Sequence, residues 1–223
     1  MDKEKDMSGA ESLALITSMI HKAKDSYHDT GIGAMLWGSV IAVCSLVKLS
    51  EIHFEYHLPF DIYLLALVAI IPQIFITIKE KKERKVKSYD DRFMDYIWLG
   101  FGICLFLLIF TINVMFRTWG PVATEYRTLT GELSPFRLNE YISSFFLMLY
   151  GLPTFITGAA CKFRPMLFGG LLCWACCIIA LFTPVKIDLL LTALSAIMAW
   201  LVPGILMEKE YREYKRSQAA LHV

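Results

Sequence analysis

Charge is nearly missing from the middle of six apolar stretches in this chain of 223 residues, and that scarcity removes several function classes at once. Without Asp, Glu, Lys or Arg near the centre of an apolar run there is no proton relay and no voltage sensor, because both need ionisable groups placed along a pathway. All five His lie outside the runs, which leaves no second His box for a di-iron centre. No Ser/His arrangement and no phosphate-cradling Gly loop occurs, so no catalytic residue is assigned, no cofactor is expected and the protein is read as not an enzyme. A net charge of +1 argues against direct nucleic-acid binding, whose affinity rests on neutralising phosphates. Residues 1–31 have no continuous apolar core of the kind a cleaved signal peptide carries, so the first apolar run is expected to serve as an uncleaved insertion signal. The six Cys sit in or beside the runs, not in loops where disulfides would be expected, and read as small apolar side chains.

What is present sets the architecture. The apolar runs, at about 32–47, 62–78, 96–116, 141–160, 166–182 and 187–206, are close to the roughly 17–25 residues that cross a hydrocarbon core as a helix. Seventeen of the 22 Lys and Arg fall before the first run, between the second and third, between the fourth and fifth, and after the sixth. Because short basic loops are retained on the cytoplasmic side, the expected fold is all-α: six transmembrane helices with both termini cytoplasmic. The domain division is a cytoplasmic segment 1–31, a six-helix domain 32–207 and a cytoplasmic tail 208–223.

Within 1–31, Ser8 and Glu11 have capping-box spacing, and Leu13, Ile16, Ile20, Ala23 and Tyr27 recur on one helical face. These predict an amphipathic helix at about 9–28 that lies in the membrane interface, packs on the cytoplasmic ends of the spans, or pairs with a partner or a second copy. Lys79 to Lys87 reads as a helical extension of the second span, with i,i+4 pairs Glu80/Arg84 and Glu83/Lys87, and alternatively as a contact for anionic lipid or a soluble partner. The gap 117–140 is expected to be an outer loop, with turns at Gly120-Pro121 and Ser134-Pro135 and Trp119, Tyr126 and Tyr141 at headgroup level.

Candidate sites are few. His53 and His57 would share a face if their loop were helical and are candidate metal ligands, although no convincing further ligand accompanies them. Cys173, Cys176 and Cys177 share a face at i, i+3 and i+4, a spacing that soft metals accept and that apolar packing explains as well. Gln73 and Asn113 are the deepest strongly polar side chains and are expected to hydrogen-bond across helices, worth about 1 kcal/mol. Asp61, Lys186 and Asp188 fall at outer ends within reach of water. Gly151, Thr154 and Gly158 on one run, and Ala193, Ala196 and Ala199 on another, are expected to let helices approach closely. Met35-Leu36-Trp37-Gly38 recurs as Met148-Leu149-Tyr150-Gly151, a short match that apolar composition alone explains and that alternatively marks two inverted three-helix halves as found in secondary transporters.

Glu11-Ser12, Met19-Ile20 and Ala23-Lys24, followed by Met35-Leu36-Trp37-Gly38, Gly151-Leu152-Pro153-Thr154-Phe155, Lys162-Phe163-Arg164-Pro165, Gly169-Gly170 and Val202-Pro203-Gly204, resemble a family of small six-span membrane proteins of Bacteroidota. Members are often encoded beside winged-helix regulators. The resemblance implies a regulatory or accessory role with a cytoplasmic partner and carries over no catalytic or binding residue. The partners expected are thus the lipid bilayer and a cytoplasmic regulator or a second copy; the alternative function is a small transporter.

Overall fold

A computed structural model describes residues 30–83, 89–134 and 137–221. Among these the regular structure is all helical, with α1 Ile32–Phe54, α2 Leu64–Glu83, α3 Tyr89–Thr130, a 3-10 turn Leu138–Glu140, α4 Ile142–Ala160, α5 Arg164–Ala180, α6 Val185–Ala196, a π turn Ile197–Leu201 and α7 Val202–Leu221. Four helical stretches are long and apolar enough to cross a membrane: Ile32–Phe54, Phe93–Thr130, Leu138–Ala160 and Val185–Ser217. α5 is equally apolar but shorter, and α2 ends in the charged sequence Lys79-Glu80-Lys81-Lys82-Glu83. The amphipathic helix expected at 9–28 lies outside the described residues, as do Arg84 and Lys87, the basic members of the two i,i+4 pairs expected in the basic loop.

Two expected boundaries move. α1 runs on to Phe54 because Lys48 pairs with Glu51 at 2.9 Å and the Ser50 hydroxyl bonds back to the Val47 carbonyl at 2.7 Å, carrying the helix past the apolar run. α3 extends through most of the expected outer loop and makes a single helix of 42 residues, about 63 Å long. Gly120-Pro121 does not break it. Pro121 withholds one N–H from the Arg117 carbonyl, but that turn is exposed and water can serve the carbonyl instead.

The core is built by close backbone approach. α4 and α5 form a hairpin along their whole length: a Cβ at Gly158 would strike the Met166–Leu167 backbone, one at Gly170 the Phe155 backbone, and one at Gly151 the Trp174 ring. The turn between them follows from its local bonds. Phe163 N–H reaches the Gly158 carbonyl at 2.9 Å and Lys162 N–H the Ala159 carbonyl at 3.3 Å, a Schellman closure with Lys162 left-handed at φ 55°; Pro165 then starts α5, where a missing N–H costs nothing. α1 lies against α6, with Gly38 on the Leu201 backbone, and Gly169 of α5 meets Ala199. Ala193, Ala196 and Ala199 are buried at these crossings, as expected of small residues that replace the missing hydrophobic drive between helices in lipid.

α2 and α3 are peripheral. Ala69 is buried in α2, a helix that packs on α1; α3 touches the bundle along one narrow face. The two halves also pack differently. α4, α5 and α6 make mutual contacts, whereas α1, α2 and α3 do not form a comparable trio.

Candidate functional site

Two constellations join elements distant in sequence. The first surrounds the π turn. Pro203 cannot donate to the Ala199 carbonyl, and the widened turn Ile197–Leu201 sits immediately before it, the usual place for a local change of helical pitch. The turn carries Trp200 into the core, 3 % exposed, where its indole N–H donates to the Thr154 hydroxyl at 2.7 Å; Thr154 in turn donates to the Tyr150 carbonyl at 2.7 Å. Every member of this short chain is satisfied within the protein. Around it, the Tyr150 ring lies 4.9 Å from Trp200, and Phe101 and Trp98 of α3 stand edge-on to Trp200 at 6.3 Å and 6.5 Å. This aromatic cluster is how α3 is attached to the bundle.

The second constellation brings together the start of α1, the charged end of α2 and the start of α7. Gly31, left-handed at φ 68°, precedes α1 and passes so close to Gly204 of α7 that a Cβ on either residue would strike the other's backbone. Next to it, the buried Thr30 hydroxyl donates to the Glu80 carboxylate at the end of α2. The chain entering α1 is thereby held to both α2 and α7. α7 itself continues as a polar helix through Glu208, Lys209 and Arg212, where Arg212 pairs with Glu208.

At the opposite end, the Glu51 side chain is buried and accepts the Leu58 N–H at 2.9 Å, holding the α1–α2 loop down; the Tyr63 hydroxyl comes within 3.4 Å of Ser45. Asp188, expected near water, is instead 1 % exposed. It falls in the first turn of α6, and the preceding Thr183 hydroxyl donates to Oδ1 at 2.6 Å while Oδ2 has no hydrogen-bond partner among the described residues. Sequence gives the Thr–Asp spacing but not the burial, which comes from the meeting of the ends of α5 and α6.

The candidate residues do not converge. His53 is in the last turn of α1 and rests edge-on against Phe54 at 5.0 Å, but the helix ends at Phe54, so His57, beyond left-handed Glu55, does not share its helical face. Cys173 and Cys176 are buried in different apolar clusters, and Cys177 donates to the Ser144 carbonyl at 3.3 Å. Gln73 and Asn113 bond within their own helices instead of across: Gln73 Nε2 to the Thr77 hydroxyl at 3.2 Å, with its amide lying over Gly33 of α1, and Asn113 Nδ2 to the Ile109 carbonyl at 2.8 Å. On an isolated helical face the nearest acceptor is the carbonyl one turn back, which is why the Asn113 amide folds onto its own backbone, whereas Gln73 finds the Thr77 hydroxyl one turn on. No protein-family model matches the chain, and no curated protein and no solved structure is significantly similar to it.

Proposed function

We propose that the protein crosses the bacterial cytoplasmic membrane six times, keeps both termini in the cytoplasm, and acts without catalysis as a regulatory or accessory protein through its cytoplasmic face. The observation that carries this reading is the junction of Thr30 and Gly31 with Glu80 and Gly204. A displacement of the N-terminal segment by a soluble partner would be felt at once by α2 and α7, both of which project charged helical ends on that side.

The same contacts support the span count. Thr30 beside Glu80 makes α1 and α2 an antiparallel pair, Gly31 beside Gly204 makes α1 antiparallel to the α6–α7 rod, and α4 and α5 form a hairpin. If α1 crosses, α2 returns, and the shorter α5 pairs with α4 in the same way. The reading includes an amphipathic cytoplasmic segment ahead of the six-helix domain and membership of the Bacteroidota family that the sequence motifs resemble.

The test is affinity purification of the full chain and of a chain lacking residues 1–29 from the same membranes. Recovery of a soluble regulator with the first and its loss with the second is the expected result. Substrate-dependent flux in liposomes, with no partner retained, would replace this reading by the transporter alternative. Reporter fusions at Phe60 and after Val223 test the topology: external and cytoplasmic respectively.

A further inference from the structure

Asp188 brings a carboxylate into the bundle without a matching cation. Its side chain is buried, Oδ1 accepts the Thr183 proton, and Oδ2 has no partner among the described residues. The Thr183 hydroxyl also lies 3.1 Å from the Ile179 carbonyl, so its single proton has two acceptors to serve. Glu51, also buried, has a counter-ion in Lys48 at 2.9 Å. Among the described residues Asp188 has none, since Lys186 is exposed and Arg137 is spent on Glu140 at 3.1 Å. The helix register adds a second oxygen. α4 and α6 run in one direction, each antiparallel to α5, and Leu147 and Leu191 pack in one cluster with Cys176 and Ala180. Ser144 and Asp188 each precede those leucines by three residues, one turn nearer the helix starts. Ser144 is buried too, and its hydroxyl has no partner among the described residues. From the surface, a cavity of about 280 Å³ lined by Glu140, Tyr141, Leu181, Phe182, Thr183 and Pro184 leads to the threonine that holds Asp188.

We propose that this end of the bundle binds one small monovalent metal cation, with Asp188 Oδ2 and the Ser144 hydroxyl as its inner ligands, Thr183 at the threshold and Glu140 at the mouth. Three arguments select that ligand. A buried carboxylate with one hydrogen bond is costly unless a positive charge comes to it, and none of the described side chains supplies one. The groups gathered here are carboxylate and hydroxyl oxygens, hard donors that suit hard cations and not the metals that imidazole and thiolate select. The charge is that of a monovalent ion: Arg137 already balances Glu140, so Asp188 leaves one negative charge to neutralise. No three His, Cys, Asp or Glu cluster among the described residues, which also disfavours a multivalent metal. The bound ion would join the starts of α4 and α6. The site does not depend on which side of the membrane this end faces, so its failure and the failure of the proposed topology are separate.

The experiment titrates the purified full chain in mild detergent with sodium chloride against choline chloride at constant ionic strength, reading thermal unfolding and the binding of radiolabelled sodium. Sodium is expected to bind once per chain and, at ten times its binding midpoint, to raise the unfolding temperature by about 3–5 °C over choline, which is too large to reach Asp188. Asp188→Asn is expected to abolish both signals. Ser144→Ala is expected to weaken binding roughly five-fold, the loss of one polar contact. Glu140→Gln is expected to weaken it as well, because Arg137 is left as an unbalanced positive charge at the mouth. Glu51→Gln should leave the sodium midpoint where it was, since Lys48 already answers that carboxylate. If Asp188→Asn yields no folded protein, Ser144→Ala and Glu140→Gln decide: an unchanged sodium midpoint in both overturns the proposal. So do an equal effect of choline, no bound sodium, sodium binding that survives Asp188→Asn, or saturation by calcium at far lower concentration than sodium.

Discussion

The Trp200 indole donates to the Thr154 hydroxyl across 2.7 Å, joining a π turn in the last span to the middle of α4. Both side chains are buried, so neither group has water as a substitute. Thr154→Val is expected to destabilise the protein by about 1–3 kcal/mol, because it strands the indole N–H in an apolar core. Thr154→Ser keeps the hydroxyl and should recover most of the loss. Thermal unfolding in mild detergent measures both, and equal stability of the Val and Ser variants would show that the hydrogen bond contributes nothing.

Glycines at helix crossings and glycines on open surface should respond with opposite sign. Gly38→Ala would push a methyl into the Leu201 backbone and is expected to cost about 1–3 kcal/mol. Gly100→Ala places its methyl in open space and is expected to stabilise α3 by about 0.5–1 kcal/mol through helix propensity. The same unfolding measurement compares them.

Among the described residues, Asp188 depends on Thr183 for the one hydrogen bond its carboxyl accepts from a side chain. Thr183→Val is expected to lower stability by about 1–3 kcal/mol, Thr183→Ser to restore it, and Asp188→Asn to be milder than Asp188→Leu because an amide oxygen can still accept the Thr183 proton. If Asp188→Leu proved the mildest change, the buried carboxyl would have no structural role.

The Thr30 bond to Glu80 ties the entry of α1 to the end of α2. Thr30→Val should leave insertion and core stability nearly unchanged but increase protease cleavage between residues 1 and 30 in inside-out vesicles. Unchanged cleavage would mean that the tether does not govern the N-terminal segment.

Much of the helical plan was legible because apolar runs, charged gaps, and proline and glycine at turns act locally. The α4–α5 hairpin is an example: Lys162-Phe163-Arg164-Pro165 marks its turn, and Gly151, Thr154 and Gly158 mark the face that packs. Helix ends were less legible. Lys48, Ser50 and Glu51 look like a polar loop, yet a local ion pair and a back-bonded hydroxyl extend α1 through them. Gly120-Pro121 looks like a turn, yet an exposed helix tolerates one missing N–H.

The candidate sites were the least legible part. His53 and His57 depended on a helix that stops between them, and the expected cross-helix bonds of Gln73 and Asn113 depended on neighbours that the packing does not supply. Trp200 and Thr154, 46 residues apart, carry no pairing signal in the sequence.

The sequence alone determined that the chain is helical and where apolar segments long enough for a membrane lie, since hydrophobic length and local backbone chemistry are properties of contiguous residues. Only the tertiary structure decided which polar groups are buried together, which glycines touch a backbone and which face of α3 is left bare. Those outcomes depend on how helices distant along the chain cross, and a crossing is fixed by the mutual fit of two surfaces that no single segment contains.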